Sequence, residues 1–232
     1  MMTEIKDFLH QQWVEIKEDK YSMALLVVVL VGGLGMGIWK GKNWYVARKE
    51  GAAQLVFAQA YDEYQGALNA SLKKEDAGKI EQAFKDAAIS LQSVQDEHGS
   101  SVYGTYSQAL QADLLVHEKN YKGAQELLEA VIKRMGKNSP AYYLYQTKLA
   151  LVSFDAGDAQ KGITLLEQLA ADESNQQSDT AAFYLGSYYW AQKQYDKAKK
   201  AWAVFEKPFD EKDPKKNSPW MQIVAAKLAQ LS

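Results

Sequence analysis

Residues 181–208 read AAFYLGSYYWAQKQYDKAKKAWAVFEKP, with apolar side chains three and four positions apart on either side of a short polar turn. That spacing is typical of amphipathic α-helices, and the stretch lacks the alternation of apolar and polar residues that is typical of strands. Gly186 in the first helix and Ala198 in the second are small, whereas Trp202 is large. Small residues allow two helices to pack closely, while large ones fill the groove beside them. The stretch therefore predicts a helical hairpin.

The same arrangement of small and large residues occurs twice more, earlier in the chain. Ala198 aligns with Gly162 and Ala124, at steps of 36 and 38 residues. Self-similarity at such a period indicates stacked repeats, each of which buries its apolar face against its neighbours. The four aligned sets are Ala112, Ala150 and Gly186; Ala124, Gly162 and Ala198; Leu128, Leu166 and Trp202; and Val131, Leu169 and Phe205.

Helical periodicity covers the rest of the chain beyond an apolar block near its N-terminus, and it predicts an all-α fold. Gly136 ends one helix and Ser139-Pro140 begins the next, while Ser218-Pro219 begins the last one, because glycine is favoured just after helices and proline in their first turn. The predicted helices are residues 43–71, 77–97, 101–118, 121–135, 140–155, 159–171, 178–193, 195–206 and 219–231.

The hairpin quoted first resembles the tetratricopeptide repeat family, whose repeats have a fixed pattern of large and small residues. The positions that match are Leu185, Gly186, Tyr189, Tyr195, Ala198, Trp202 and Pro208. The stretch SQALQADLLVHEKNYKGAQELLEAV at residues 107–131 is similar to the same pattern, and the middle unit departs from it at Ala159 and Gly162. The resemblance implies an α-solenoid of helical hairpins, with residues 50–97 as a degenerate further hairpin and residues 219–231 as a terminal cap.

The apolar block near the N-terminus reads YSMALLVVVLVGGLGMGIW, nineteen residues without a charge at positions 21–39. A helix of this length spans about 28 Å, close to the ~30 Å hydrocarbon core of a bilayer. We therefore expect a single transmembrane helix over residues 21–41, after a short tail over residues 1–20. A cleaved signal peptide is the alternative, but the block is longer than a usual signal core and no A-x-A cleavage pattern follows closely.

Glycine occurs at every fourth position near the end of this block, at Gly33, Gly37 and Gly41. Glycines at this spacing form a flat ridge on which a second membrane helix can pack closely, although the pattern also arises by chance. Lysines flank the block on both sides, so the positive-inside rule does not predict which end of the helix is cytoplasmic.

The whole layout resembles the YfgM-type family, the ancillary subunits of the bacterial SecYEG translocon. The resemblance rests on one anchor, a degenerate repeat domain and the final KLAQLS at residues 227–232. It implies a bacterial inner-membrane protein in the lipid bilayer, with a cytoplasmic N-terminus and a periplasmic repeat domain that binds the translocon and a periplasmic chaperone. The expected domains are a tail over 1–20, a transmembrane helix over 21–41, a connecting helix and degenerate first hairpin over 42–100, and repeats with a capping helix over 101–232.

The composition argues against several classes of function. The chain of 232 residues has no cysteine, and its three histidines, His10, His98 and His117, are far apart in sequence, which gives no basis for a metal site or a cofactor. A net charge of −2 lacks the basic excess of a nucleic-acid binder. Carboxylates alternate with lysines as on exposed helical faces, and no nucleophile elbow, kinase signature or dinucleotide motif occurs outside the glycine-rich block. We therefore do not expect an enzyme.

Aromatic residues are frequent, with 14 Tyr, 6 Trp and 7 Phe. In tetratricopeptide repeats, which this sequence resembles, the first helix of each hairpin faces a concave groove, and such grooves bind extended or helical segments. The alternative is that the helix over residues 43–71, or the last helix, fills the groove and leaves no site. The aligned groove positions are the apolar Tyr106, Val116, Leu144, Leu151, Phe154, Phe183 and Trp190, which we predict to bind a partner, together with Asp113, Thr147 and Ser187.

These patterns favour a non-catalytic, membrane-anchored scaffold that links a membrane protein complex to a second protein, because tethering raises effective concentration. A holdase-like chaperone that binds unfolded clients in the groove is the alternative. A hydrolase that uses carboxylates without a sequence motif is a third, weaker hypothesis.

Overall fold

The computed structural model describes the backbone of residues 20–205 and 218–231 and the side chains of residues 44–205 and 218–231. These residues form nine α-helices and no β-strand, which confirms the predicted all-α class. The helices are α1 (Lys20–Leu72), α2 (Ala77–His98), α3 (Val102–His117), α4 (Tyr121–Met135), α5 (Tyr142–Asp155), α6 (Ala159–Ala171), α7 (Ser178–Ala191), α8 (Tyr195–Trp202) and α9 (Met221–Leu228), with 3-10 turns at Ala203–Phe205 and Ala229–Leu231.

Polar side chains fix where several of these helices begin. Asp76, Ser101, Asn120 and Asp158 precede α2, α3, α4 and α6, and the side-chain oxygen of each accepts a hydrogen bond from a backbone N–H in the first turn. Such a cap replaces a partner that the helix itself cannot supply, and it contributes about 1 kcal/mol. Local sequence therefore specifies where these four helices begin.

The turn inside each of three hairpins contains one residue with a left-handed backbone. Lys119 (φ 61°), Gly157 (φ 83°) and Lys193 (φ 59°) each lie two positions after the end of a helix. These residues are 38 and 36 positions apart, the same steps that separate the aligned small residues. The turns therefore repeat along with the helices, which is what a repeat array requires.

The core confirms the predicted repeat alignment. All twelve aligned residues are buried, including the two glycines. Helix α3 pairs with α4, α5 with α6, and α7 with α8, and each helix from α2 to α8 also packs on its neighbours in the sequence. Helices α3 to α8 thus form three consecutive hairpins that stack in chain order, as in a tetratricopeptide-like solenoid.

A further hairpin precedes these three. Ala53, Ala60 and Ala67 are fully or almost fully buried at intervals of seven residues along α1, and the part of α1 from Val56 onward shares an apolar cluster with Leu91 and its neighbours on α2. The chain divides into two compact units, Met1–Ala52 and Ala53–Ser232. All the hairpins belong to the second unit.

Helix ends differ from the predicted ones where prolines and aromatic side chains occur. Helix α5 begins at Tyr142 rather than at Pro140, because the Tyr142 N–H donates to the Ser139 carbonyl at 3.0 Å and closes a turn first. Helix α8 ends at Trp202, and the chain then tightens into a 3-10 turn instead of continuing to residue 206. The last helix begins at Met221 rather than at 219 for a similar reason, since a turn at Ser218 precedes it.

The predicted membrane segment falls largely outside the described residues. The tail over residues 1–19 is not described, and residues 20–43 are described only as helical backbone of α1. The side chains of the predicted span over residues 21–41, including Gly33, Gly37 and Gly41, therefore lie outside the described part. Among the described residues, no helix has both the length and the apolar character needed to cross a bilayer.

Candidate functional site

The candidate site is the surface on which the first helices of successive hairpins, α1, α3, α5 and α7, contact one another. We call it the first-helix face. The seven apolar residues that the sequence predicts as partner-binding all lie on α3, α5 or α7. Their surroundings differ along the face, which has an aromatic cluster near α1, a polar centre and a second aromatic cluster near α9.

A charged network joins three helices at the centre of the face. The Lys148 ammonium on α5 lies 2.7 and 2.8 Å from the two carboxylate oxygens of Asp113 on α3. The Tyr64 hydroxyl on α1 donates to the same carboxylate at 3.3 Å, and Lys148 also lies 5.6 Å from the centre of the Tyr145 ring. Asp113 therefore holds the first helices of three consecutive hairpins in register.

Two tyrosine hydroxyls in this network have raised pKa values. Burial, followed by the nearby charge of Asp113, raises the pKa of Tyr145 to about 12. Burial and Asp113 likewise raise the pKa of Tyr64 above its usual value. Both phenols therefore stay neutral at physiological pH, and the Tyr64 hydroxyl keeps the proton that it donates to Asp113.

The aromatic cluster near α1 contains the first predicted residue, Tyr106. The Phe57 ring of α1 lies 6.3 Å from Tyr106 and 5.6 Å from Tyr103, measured between ring centres. Phe57 also stacks on Tyr61 at 6.0 Å. Tyr106 is therefore partly covered by α1, which is one of the two segments that could fill a groove.

The middle of the face is the most open part. Leu144 is 49% exposed, whereas Val116 packs against the core cluster shared by α3, α4 and α5. Leu151 is half-buried. The Phe154 ring stacks on Tyr188 of α7, with ring centres 4.4 Å apart and planes 20° from parallel. Of the seven predicted residues, Leu144 is the one whose side chain is largely available to a partner.

The second aromatic cluster contains Phe183 and Trp190, and residues near the C-terminus cover both. The Trp220 ring stacks on Phe183 with ring centres 4.2 Å apart and planes 12° from parallel. The Lys227 ammonium lies 5.1 Å from the centre of the Trp190 ring, and Trp190 also contacts Trp202 and Tyr195. The last helix, the second possible groove-filling segment, thus lies over this end of the face.

Several residues of the face were not singled out in the sequence. Tyr64 and Lys148 form the polar centre, and Phe57, Tyr188 and Trp220 complete the aromatic clusters. Their helical positions follow from periodicity, but their partners depend on contacts between residues far apart in sequence. Ser218-Pro219 predicts the start of the last helix, but it does not predict the contact that the adjacent Trp220 makes.

Other parts of the second unit offer little chemistry. Within residues 44–205 and 218–231, no group of three His, Cys, Asp or Glu residues is placed to hold a metal ion. A cavity of about 300 Å³ between α2 and α3 is bordered by His117, whose ring stacks on Phe84 at 4.0 Å. Another, of about 670 Å³ between α6, α7 and α8, is lined by Tyr189, two lysines, Glu167, Leu185 and three alanines.

Comparison with known proteins supports the repeat fold. A family model described as a tetratricopeptide repeat-like domain matches residues 15–232, a range that contains every described helix. No curated protein shows significant similarity to the chain.

Proposed function

The chain belongs to the tetratricopeptide repeat-like family, and we propose that it is a non-catalytic scaffold, anchored in a membrane, that links a membrane protein complex to a second protein. Domains of this family generally bind other proteins rather than catalyse reactions. Protein interaction is therefore the part of the proposal that the family supports directly. The anchor and the identity of the partners are more specific parts of the proposal.

The observation that carries the proposal is the construction of the first-helix face. Its aromatic and apolar side chains extend over three hairpins, and the Asp113 network fixes the helices that carry them. A rigid surface loses little conformational entropy when a partner binds. Leu144, at the open centre of the face, is an apolar contact point that a partner would bury.

The proposed anchor is the helix over residues 21–41, with Gly33, Gly37 and Gly41 as its contact with another membrane helix. Its support is the uncharged sequence of the block and the resemblance to ancillary translocon subunits. On the same basis we place the protein in the bacterial inner membrane, with the N-terminus in the cytoplasm and the repeats in the periplasm. A SecYEG-like translocon and a periplasmic chaperone are then the proposed partners.

A holdase function has less support. It would require accessible apolar residues in the groove, and the two aromatic residues that were expected to carry it, Phe183 and Trp190, contact the chain's own Trp220 and Lys227.

Crosslinking at a single introduced cysteine tests the scaffold. The chain has no cysteine, so Leu144→Cys gives a unique attachment point on the first-helix face. In native bacterial membranes, a thiol-reactive crosslinker at this position should attach a translocon subunit or a periplasmic chaperone. The matched control is Ile89→Cys, which is 69% exposed but lies on the second helix of its hairpin. Absence of both partners, or the same products at both positions, would contradict the proposal.

Protease protection tests the proposed topology. In intact spheroplasts, protease added outside should digest the repeat domain if that domain is periplasmic, and a cytoplasmic marker protein should remain intact. Protection of the repeats until the membrane is permeabilised would place them in the cytoplasm and would exclude a periplasmic partner.

A further inference from the structure

The C-terminal segment, Ser218–Leu231, binds α7 at the end of the first-helix face through specific contacts. Besides its stack on Phe183, the Trp220 indole N–H donates to the Thr180 hydroxyl oxygen at 3.2 Å. Val224 is 1% exposed. Two different interactions, a ring stack and a hydrogen bond, therefore fix the position of the same indole ring.

The contacting residues of the C-terminal segment fall on one side of a helix. Trp220, Met221, Val224 and Leu228 pack in one apolar cluster with residues of α7 and α8, and their positions are i, i+1, i+4 and i+8. Lys227, at i+7, lies over the Trp190 ring. This is the contact pattern of an amphipathic helix in a groove, a common mode of peptide recognition.

Few residues of the C-terminal segment are buried. Helix α9 has eight residues, no side chain in the described part of the chain caps its start, and Val224 is the single buried residue within it. Ile223 is 44% exposed. Isolated helices this short are unstable in water, so the helix persists only while it is docked. Segments with few buried contacts are also the ones that open most readily.

One hydroxyl on the same helix, α7, is buried without being satisfied by the described part of the chain. Ser187 lies one turn after Phe183 on α7, and its buried hydroxyl oxygen has no hydrogen-bond partner among the described residues. Other hydroxyl residues on first helices donate to the carbonyl four positions earlier, as Thr147 and Ser153 do. The equivalent carbonyl for Ser187 belongs to Phe183, and it accepts the Trp202 indole N–H at 3.2 Å instead.

From these contacts we infer that the α7 surface from Phe183 to Trp190 is a docking site for an amphipathic helix of a partner protein. The C-terminal segment occupies this site in the free chain, and the partner helix displaces it. The partner helix has the chemistry of the segment that it replaces. It carries an aromatic ring at its first position, aliphatic side chains four and eight positions later, and a cation at the seventh position after the ring. The inference rests on the proposed function, because it specifies one kind of protein partner for the scaffold.

Attachment in the same chain explains why release is needed. A tethered segment is present at a high effective concentration, so it competes strongly with any free helix. The apparent affinity for a free helix is its intrinsic affinity multiplied by the fraction of molecules in which the site is empty. Weakening the C-terminal segment, without changing α7, should therefore strengthen binding in trans.

A labelled synthetic peptide of residues 218–231 provides a defined probe. Binding of this peptide to the purified full chain in detergent is measured by fluorescence anisotropy. The Trp220→Ala variant should bind the peptide at least about tenfold more tightly than the unmodified chain, because its own segment occupies the site less. Lys227→Glu should also strengthen peptide binding. Because this substitution leaves the apolar cluster intact, it provides a second test in case Trp220→Ala does not fold. Trp44→Ala, which changes an exposed tryptophan outside the site, should bind like the unmodified chain.

The outcomes separate the alternatives. Addition of Phe183→Ala to Trp220→Ala should abolish the gain, since it removes the stacking partner. The inference is overturned if the unmodified chain, Trp220→Ala and Lys227→Glu bind the peptide with equal affinity. It is also overturned if none of the three binds the peptide. A dimer of the unmodified chain that Trp220→Ala converts to a monomer, measured by sedimentation, would identify the occupant as a second copy and would also overturn it. The two experiments are independent. If the peptide experiment fails, the Leu144→Cys crosslinks still test the proposed scaffold, and if the crosslinks fail, peptide binding can still be measured.

Discussion

Gly186 lies against the indole ring of Trp202, and the ring occupies the space that a side chain at this position would need. The other two repeats solve the same packing problem differently, with Ala112 and Ala150 in the glycine's position and a leucine in that of the tryptophan. The pair of residues therefore keeps its total volume roughly constant. Interiors packed at this density respond to a change of one methyl group.

Substitution of Gly186 tests this volume argument. Gly186→Ala should lower the free energy of unfolding by about 1–3 kcal/mol, because the added methyl overlaps the Trp202 ring and forces one helix to shift. The matched control is Gly66→Ala on α1, where an added methyl meets no atom within 4 Å. That substitution should instead stabilise the protein by about 0.5–1 kcal/mol, because alanine favours the helix. Chemical denaturation followed by circular dichroism measures both, and equal effects would contradict the packing argument.

The Ser187 hydroxyl leads to a prediction of the opposite sign. Ser187→Ala should raise the free energy of unfolding by about 1–3 kcal/mol, since it removes a buried hydroxyl that has no hydrogen-bond partner among the described residues. Ser153→Ala is the matched control: the Ser153 hydroxyl donates to the Leu149 carbonyl at 2.7 Å and accepts from Gln125 at 2.9 Å, so its loss should destabilise the protein. A destabilised Ser187→Ala variant would show that this hydroxyl does have a partner.

Among the elements, the hairpin turns are the parts that the repeats share most closely. Each turn places one residue in the left-handed region, and a residue with a side chain pays a conformational penalty there of roughly 1–2 kcal/mol. Gly157 avoids this penalty, whereas Lys119 and Lys193 do not. The three turns have the same backbone but different intrinsic stabilities.

Exchanging residue types between these turns should reveal the difference. Gly157→Ala should destabilise the protein by about 1 kcal/mol, because alanine is strained at φ 83°. Lys193→Gly should stabilise it by a smaller amount, since the relief of strain is partly offset by the greater freedom of glycine in the unfolded chain. Thermal unfolding measures both variants. A Lys193→Gly variant that is less stable than the unmodified chain would indicate that the lysine side chain makes a stabilising contact.

Most of the element pattern could be predicted from the sequence, because its determinants are local. The helical period, the polar caps and the alternation of small and large residues all act within one hairpin or between neighbours, and all twelve aligned residues are buried. The helix ends near Pro140 and Trp202 are harder to predict from the sequence, because several turn geometries compete there at similar energy. The covering of Tyr106 by Phe57 and of Phe183 by Trp220 was harder still, since it depends on how segments far apart in sequence dock.

At the scale of the whole repeat unit, the Asp113 network links the first helices of three successive hairpins. Repeat proteins owe much of their stability to such interfaces, and weakening one of them separates the array into parts that unfold independently. Tyr64, Asp113 and Lys148 bridge α1, α3 and α5. Disruption of the network should therefore affect cooperativity as well as stability.

Alkaline pH tests the contribution of Tyr145, the buried tyrosine beside Asp113. The pKa of Tyr145 is raised to about 12 in the folded chain, against about 10 for an unfolded tyrosine. A raised folded-state pKa means that the stabilisation is complete below pH ~10 and is lost as the pH rises from about 10 to about 12. Denaturation curves across this range should show falling stability, with a shallower pH dependence in Tyr145→Phe. An unchanged dependence in that variant would exclude Tyr145 as a source of the effect.

The stack of Trp220 on Phe183 also has a practical consequence. Displacement of the last helix would move this indole from contact with a ring into water, and an indole emits at longer wavelength when water surrounds it. Partner capture should therefore produce a red shift in the intrinsic fluorescence, which a Trp220→Phe variant would lack. The protein thus contains its own optical reporter, and stopped-flow mixing could time the exchange of helices without an attached dye.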